Sequence, residues 1–206
     1  MSYGTWSPWV KNYCESFYKI LIDSGAFSVY NSGKTIDREK YFRWSLRFKN
    51  IADQVACLDS VIGDTDETIA NCEYMPEGWG FPTFHESDPW DSLPEMVELA
   101  YKHGGWIGLG LIPPRTGKDA WVRRAVTSIP EDLHIHGWAC REYLYLPQIK
   151  SADSTNWFLD AMAVNKKLPW LNYGECLEII IKRYQRESKM LEEPNDDETL
   201  FGLERR

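Results

Sequence analysis

Short apolar runs alternate with stretches of helical spacing along this chain of 206 residues. The apolar runs predict strands at 18–23, 54–59, 81–85, 105–110, 133–137 and 148–153. The helical spacing predicts helices near 37–51, 65–75, 91–103, 117–128 and 141–146. Asp37 is the expected cap of the first helix, and the acids of 64–67 suit the positive end of the second. Strands and helices that repeat at roughly 25-residue spacing predict parallel pairing with right-handed crossovers.

This order of elements favours an α/β fold of the (β/α) barrel type over a Rossmann sheet, since no GxGxxG follows the first strand. A full barrel typically needs roughly 250 residues, so we expect a compact or incomplete TIM-like barrel of about six to eight parallel strands. The N-terminal segment or residues 168–172 could close it. We expect one domain over 1–190, which ends in an amphipathic helix at 174–190. The acidic stretch 191–206 is expected to be a flexible tail.

Composition and charge are ordinary for a globular protein, with 43% hydrophobic and 26% charged residues. No window approaches about 18 uninterrupted apolar residues, so we expect no membrane span. The N-terminus lacks the basic and apolar regions of a signal peptide, which favours the cytoplasm. The net charge of −8 weakly disfavours broad, non-specific binding to nucleic acid. Basic clusters at 115–124 and 166–167 are expected to be solvated surface.

The five cysteines are dispersed and contain no CxxC or CxC pair. An odd, scattered set in a cytosolic protein predicts reduced and mostly buried thiols. This spacing makes no positive case for zinc, and we expect neither a metal nor another cofactor. The pattern does not decide the oligomeric state, and a homodimer stays open.

The most informative stretch is 20–28, where an apolar strand ends on Asp23 and breaks into a turn of small residues. Ser24 and Gly25 remove side-chain bulk, so a flat ligand could approach the backbone closely. Asp153 stands in similar surroundings at the end of the last predicted strand. Reacting groups gather at the carboxyl ends of parallel strands, so these two acids are candidate catalytic residues. The alternative for each acid alone is a helix N-cap.

Further polar residues and glycines stand at the other strand ends, namely Asp59, His85, Gly108, Gly110, His136 and Gly137. Asp59 could accept hydrogen bonds from a guanine-like edge, and the glycines would let backbone groups lie against a planar base. Each residue has a structural alternative. Asp59 could cap a helix, His85 could be a satisfied buried histidine, and the glycines could serve packing alone. Whether His136 faces inward depends on the strand register.

At these residues the chain resembles the tRNA-guanine transglycosylase superfamily, closest to its short phage and bacterial branch, the DpdA-like DNA-guanine transglycosylases. The resemblance is distributed over residues 20–158. The stretch 23–28, Asp-Ser-Gly-Ala-Phe-Ser, resembles the family's DSGGFQ or DSGAFS segment, and 152–157 resembles its VDSTSW segment. The supporting segments are Cys57-Leu58-Asp59 with Val61–Asp64, Pro82–His85, Ile107–Gly110 and His134–Trp138. The cysteine-rich zinc segment of the tRNA enzymes is absent after Asp153, which weakens a tRNA assignment.

The resemblance implies a pentosyltransferase that exchanges guanine in nucleic acid for a 7-deazaguanine base. Asp153 would be the nucleophile that forms a covalent glycosyl intermediate, and Asp23 would manage the proton of the base. The implied substrate-binding residues are Ser24, Gly25, Phe27, Asp59, His85, Gly108, Gly110, His136 and Gly137. Phe27 could stack on the extruded base. The implied partners are DNA, in preference to tRNA, and preQ0 or a relative. A phage-encoded enzyme would act in the host cytoplasm.

Two other functions fit the same residues. A nucleoside or base N-glycosidase would use water in place of the incoming base and would share Asp23 and Asp153. A non-catalytic binding subunit would keep the barrel and complete the site of another protein in a modification complex. The short chain keeps this last possibility open, since two barrel strands could be missing.

Overall fold

A computed structural model describes residues 20–61, 63–110, 117–153, 156–172, 175–176, 178–180 and 182–183. The chain divides into two compact units, Met1–Asp153 and Ser154–Arg206. This division runs through the predicted domain of 1–190, which stays a prediction. The predicted tail, 191–206, lies outside the described residues.

The described part of the first unit contains six short parallel strands, each inside a predicted strand range. They are β1 (Leu21–Ile22), β2 (Gln54–Val55), β3 (Thr83–His85), β4 (Trp106–Gly110), β5 (His134–Gly137) and β6 (Ile149–Ala152). β1 pairs with β2, and β3 to β6 make a four-stranded sheet in chain order. A single parallel bridge between Ala56 and Phe81 links β2 to the start of β3. The predicted α/β fold with parallel strands is therefore confirmed.

Closure of the strands into a barrel is not shown. The described residues contain no pairing between β6 and β1. Residues 168–172, one of the two segments expected to close the barrel, form a turn, and the N-terminal segment 1–19 lies outside the described residues.

Helices follow most of the strands, as predicted. They are α1 (Ala26–Asn31), α2 (Arg38–Leu46), α3 (Thr65–Glu73), α4 (Leu93–Lys102) and α5 (Lys118–Ser128) in the first unit and α6 (Asn156–Lys167) in the second. Asp37 caps α2 as expected, because its carboxylate accepts the Lys40 N–H at 2.9 Å. Asp64 caps α3 in the same way, at 3.0 Å from the Glu67 nitrogen.

The helix predictions differ from the structure in three places. The expected helix at 141–146 is a single 3₁₀ turn, Arg141–Tyr143. Neither α1 nor α6 was predicted, because α1 has only six residues and α6 lies beyond the last predicted strand. Of the predicted helix at 174–190, residues 175–176, 178–180 and 182–183 are helical, and Ile180 is buried in the second unit with Ala161 and Cys176.

The two faces of the β3–β6 sheet carry different chemistry. One face presents a continuous apolar layer, Phe84, Ile107, Leu109, Ile135 and Ile149, which is buried in the core. Phe84 stacks on Trp121 of α5 with ring centroids 5.8 Å apart. Because side chains alternate along a strand, the other face carries Thr83, His85, Gly108, Gly110 and His136. Ser151 of β6 joins this face opposite His136 because the pairing register shifts between Ile135 and His136. The polar face therefore holds four of the predicted site residues, His85, Gly108, Gly110 and His136.

Candidate active site

The first strand ends in a polar turn that also begins α1. The Asp23 carboxylate accepts the Gly25 N–H at 3.0 Å, and the Ser24 hydroxyl accepts the Ala26 N–H at 3.2 Å. Gly25 is the N-cap of α1 and has a φ of 73°, a left-handed conformation that favours glycine. Asp23 is thus fixed by its own turn rather than acting as the helix N-cap. Its neighbour Ser24 is buried, and the Ser24 hydroxyl donates a hydrogen bond to Asp59, which follows β2 in the chain.

A hydrogen-bonded chain joins the ends of three strands through Ser24, Asp59 and His85. The Ser24 hydroxyl donates to Asp59 Oδ1 at 3.0 Å, and His85 Nε2 lies 2.8 Å from Asp59 Oδ2. The side chains of His85 and Asp59 are only 6% and 12% exposed. A carboxylate so far from solvent needs hydrogen-bond partners. Ser24 and His85 supply them from the ends of two other strands.

A second carboxylate, that of Asp88, binds the backbone of His85. Asp88 is buried and accepts the backbone N–H of His85 at 2.7 Å, while Thr65 donates its hydroxyl to Asp88 at 3.0 Å. Burial lowers the pKa of His85, but the hydrogen bond and charge of Asp59 and the charge of Asp88 outweigh it and leave that pKa raised. The raised pKa widens the pH range in which His85 is an imidazolium, and in that range its contact with the Asp59 carboxylate is an ion pair.

Tyr41 of α2 connects Asp23 to the same region. Its side chain is buried, and its hydroxyl donates to the backbone carbonyl of Ala56. Burial raises the pKa of Tyr41, and the neighbouring ionisable groups Asp23, Cys57 and Asp59 raise it further. Both carboxylates therefore act on the same buried hydroxyl.

The polar face continues on β5 and β6 with an aromatic cluster. His136 Nδ1 lies 2.8 Å from the Ser151 hydroxyl, and the His136 ring meets Trp138 edge-on at 4.2 Å. Trp138 donates its indole N–H to Thr83 at 3.1 Å and stacks on Phe81 at 6.4 Å. Burial lowers the pKa of His136 to about 3, so its ring is neutral. Among the described residues, nothing hydrogen bonds to His136 Nε2.

Asp153 follows β6 directly and is tied to the β5 turn. Its carboxylate accepts the Ala139 N–H, and its own N–H donates to the Gly137 carbonyl at 3.2 Å. Ala139 holds a φ of 52°, a conformation that is uncommon for a residue other than glycine. Asp153 keeps part of its surface open, although the surrounding chain displaces enough water from its carboxylate to raise its pKa; the Ala139 hydrogen bond opposes that shift.

Protein side chains occupy the space above three of the predicted glycines. A Cβ on Gly110 would lie 2.1 Å from His85 Nδ1, and one on Gly108 would lie 2.6 Å from Thr83 Oγ1. A Cβ on Gly137 would lie 2.7 Å from Cys140 Cβ. These glycines therefore make room for the site's own side chains, and contact between them and a planar base stays a prediction.

The structure brings the predicted residues together in two groups. Asp23, Ser24, Gly25, Asp59, His85 and Gly110 gather around the ion pair, while Gly108, His136, Gly137 and Asp153 gather on the side of β5 and β6. Phe27 lies on α1 next to the first group and is 48% exposed. Sequence reasoning missed Asp88, Thr83, Trp138 and Ser151. Alternation could have found Thr83, which stands two residues before His85 on the same strand. It could not have found Ser151, because a register shift in the β5–β6 pairing sets that residue opposite His136.

The described cysteines, Cys57, Cys72, Cys140 and Cys176, are all free and buried, as expected, and Cys14 lies outside the described residues. No group of three or more metal-ligating side chains is arranged around a common point in the described part of the chain. Among the same residues, no helix is long and apolar enough to cross a membrane.

Comparisons with protein-family models, with curated proteins and with solved structures found no match.

Proposed function

We propose that the protein exchanges guanine in nucleic acid, preferentially DNA, for a 7-deazaguanine base such as preQ0 or a relative. The observation that carries the proposal is the buried chain from Ser24 through Asp59 to His85 at the carboxyl ends of parallel strands. Asp153 ends another strand of the same fold with a raised pKa. This arrangement, together with the resemblance of 23–28 and 152–157 to guanine transglycosylase segments, supports glycosyl transfer.

In the proposed first step, a carboxylate oxygen of Asp153 attacks C1′ of the target nucleotide. The bond from C1′ to N9 breaks, its electron pair goes to N9, and protonated Asp23 donates a proton there. The departing base leaves a covalent glycosyl ester on Asp153. In the second step Asp23 takes the N9 proton of the incoming 7-deazaguanine. N9 then attacks C1′ and releases the Asp153 carboxylate.

Asp59 is the proposed recognition group for the base. Ser24 and His85 each use one of its two oxygens, and a carboxylate has about four acceptor positions, so two stay available for N–H donors. The guanine edge offers adjacent N–H groups, whereas adenine offers a different pattern. A base that left this buried carboxylate without those donors would be selected against.

The proposed architecture is an incomplete (β/α) barrel, supported by six parallel strands in chain order. In such a barrel the inward-facing residues of alternate strands meet at the carboxyl end. The polar face of β3 to β6 would then look toward Asp23 and Asp59, which is the geometry that the two-acid mechanism needs.

The decisive experiment is mass spectrometry of nucleosides from guanine-containing DNA incubated with the protein and preQ0. We expect a 7-deazaguanine nucleoside with the wild-type protein and none with Asp153→Asn, because an amide is a poor nucleophile. Asp66→Asn, at an exposed position on α3, is the matched control and should keep the activity. Exchange by Asp153→Asn at more than about one hundredth of the wild-type rate would reject the assigned nucleophile.

Other products separate the alternative functions. Abasic sites formed without preQ0 would identify an N-glycosidase in place of an exchange enzyme. Activity that appears only after a partner protein is added would identify a subunit of a modification complex. A denaturation-resistant adduct between DNA and the protein, absent in Asp153→Ala, would support the covalent intermediate.

A further inference from the structure

A basic stretch of the first unit follows directly after the turn that holds Asp23. Residues 26–49 carry six Lys and Arg residues and two acids, a net charge of +4 in a chain whose net charge is −8. The basic residues are Lys34, Arg38, Lys40, Arg43, Arg47 and Lys49, and all of them are exposed. We call this stretch the basic surface. Its charge is opposite to that of the whole molecule, so it marks a direction from which a polyanion would approach.

The start of the basic surface also exposes aromatic rings. Phe27 and Tyr30 of α1 are 48% and 53% exposed, and their spacing of three residues places them on one side of the helix. The turn that holds Asp23 leads directly into this helix, because the Asp23 carboxylate accepts the Gly25 N–H. Two exposed rings beside the site are available for stacking.

A cation stands at the other end of the same short helix. The Gly33 N–H donates to the Tyr30 carbonyl at 2.9 Å, and the Lys34 N–H donates to the Val29 carbonyl at 3.1 Å. These two bonds turn the chain back at the end of α1 and hold the Lys34 backbone beside Val29. The stretch therefore combines a charged group with the aromatic pair.

The helix α2 adds exposed positive charge to the basic surface. Its buried side carries Tyr41, Trp44 and Ser45, which leaves Arg43 and Arg47 on the exposed side at a spacing of four residues. Like charges at this spacing destabilise an isolated helix by a few tenths of a kcal/mol. Glu39 pairs with Arg43, but no acid within 38–49 stands beside Arg47 or Lys49 in sequence. A bound polyanion would relieve this repulsion.

We propose that the basic surface binds a single-stranded segment of nucleic acid and presents its bases to the site. Phosphates would contact Lys34, Arg47 and Lys49, and an unstacked base would lie on Phe27 or Tyr30. Single strands suit this surface, since every exposed base offers a face for stacking while a duplex hides its bases. The choice of nucleic acid as the partner rests on the proposed function, and the single-stranded form is the new element.

The test measures binding by fluorescence anisotropy, with a labelled oligodeoxynucleotide of about 20 nucleotides as single strand and as duplex. The triple variant Lys34→Glu, Arg47→Glu, Lys49→Glu is compared with Lys102→Glu, Lys166→Glu, Lys167→Glu, which changes the net charge equally at other exposed positions. We expect the first variant to weaken single-strand binding by about tenfold or more and to flatten its salt dependence. The second should stay close to the wild-type affinity.

The aromatic contribution is tested by Phe27→Ala with Tyr30→Ala, against Trp170→Ala as a control whose side chain is 75% exposed elsewhere. The double variant should lose single-strand affinity and leave the weaker duplex affinity unchanged. Equal wild-type affinity for single strand and duplex would overturn the proposal. So would equal losses in the two charge variants, or displacement of the oligonucleotide by polyglutamate as efficiently as by unlabelled oligonucleotide.

Binding needs no incoming base, so this inference and the proposed function can fail separately. Binding through the basic surface without any exchange would reject base exchange and keep the surface. Exchange with an unchanged KM for DNA in the Lys34, Arg47, Lys49 triple variant would reject the surface and keep the activity.

Discussion

At the scale of single residues, the ion pair of His85 with Asp59 organises the candidate site. The sequence identified both residues but not their contact, because 26 positions separate them. The contact depends on the strand order and on the glycine opposite His85, neither of which a local pattern contains. The structural alternative for His85 is a buried histidine with its hydrogen bonds satisfied. That description also applies, and the partner of His85 is Asp59, the acid proposed to recognise the base.

Asp59→Ala should change base selection more than bond cleavage. Removal of the carboxylate deletes the acceptors for guanine N–H groups and leaves Asp153 and Asp23 in place. We expect binding of guanine and 7-deazaguanine to weaken by about 1–3 kcal/mol, which calorimetry on the free bases can measure. Glu67→Ala, at an exposed position on α3, is the control. Equal affinity of the wild-type protein for guanine and adenine analogues would contradict this role.

The His85 ion pair should make stability depend on pH in a defined direction. Because the pKa of His85 is raised in the folded state, its stabilisation is complete below the unfolded-state value of about 6.5. It is lost as the pH rises through the higher folded-state value. Urea unfolding of wild type and His85→Gln across this range should show a stability difference of about 1–3 kcal/mol at low pH that shrinks at high pH. A difference that grew with pH would show that His85 is not paired as an imidazolium.

At the scale of elements, apolar runs located all six strands because a buried parallel strand is nearly continuous in hydrophobic residues. The caps Asp37 and Asp64 were also predictable, since capping is a local interaction. The short helix α1 was not, because the turn at Asp23 hides its start and six residues give too little periodicity. The glycines illustrate a different limit. A glycine in the sequence indicates that side-chain bulk is missing at its position. It does not indicate which other group occupies that space in the fold.

Gly110→Ala should disrupt β4 and the ion pair together. The new Cβ would meet His85 at 2.1 Å from Nδ1 and 2.4 Å from Cε1, so the imidazole would have to leave its place beside Asp59. We expect a loss of about 1–3 kcal/mol in the free energy of unfolding, measured by urea denaturation. In a His85→Ala background the same substitution should cost much less, because the clash is gone. Equal costs in both backgrounds would mean that His85 does not fill this space.

At the scale of the whole molecule, the sequence indicated a parallel α/β fold, and the described residues have one. Closure of the barrel and the meeting of Asp23 with Asp153 stay predictions, because both depend on how distant strand ends come together. Net charge alone pointed weakly away from nucleic acid. Its distribution reverses that indication locally, as residues 26–49 are positive while the chain is negative.

Exchange activity should survive complete removal of divalent metal ions. Two carboxylates that act as nucleophile and proton carrier account for glycosyl transfer without a Lewis acid. The protein is dialysed against a chelator, its metal content is measured by elemental analysis, and exchange is assayed before and after. Stoichiometric zinc whose removal abolishes exchange, and whose return restores it, would overturn the two-acid mechanism.

The β1–β2 sheet and the β3–β6 sheet are linked by a narrow junction, the bridge between Ala56 and Phe81, and this has a mechanical consequence. The main chain crosses it through two hydrogen bonds, from Cys57 N–H to the Phe81 carbonyl and from Phe81 N–H to the Val55 carbonyl, at 2.9 Å each. Ser24 and Asp59 lie on one side of this junction and His85 on the other, so the contact of His85 with Asp59 links the two parts of the candidate site through side chains. The part with β1 and β2 carries the acid proposed to recognise the base and the basic surface, while the part with β3 to β6 carries the proposed nucleophile, Asp153. Under the proposed function, deprotonation of His85 or removal of either partner would therefore weaken the coupling between base recognition and glycosyl transfer.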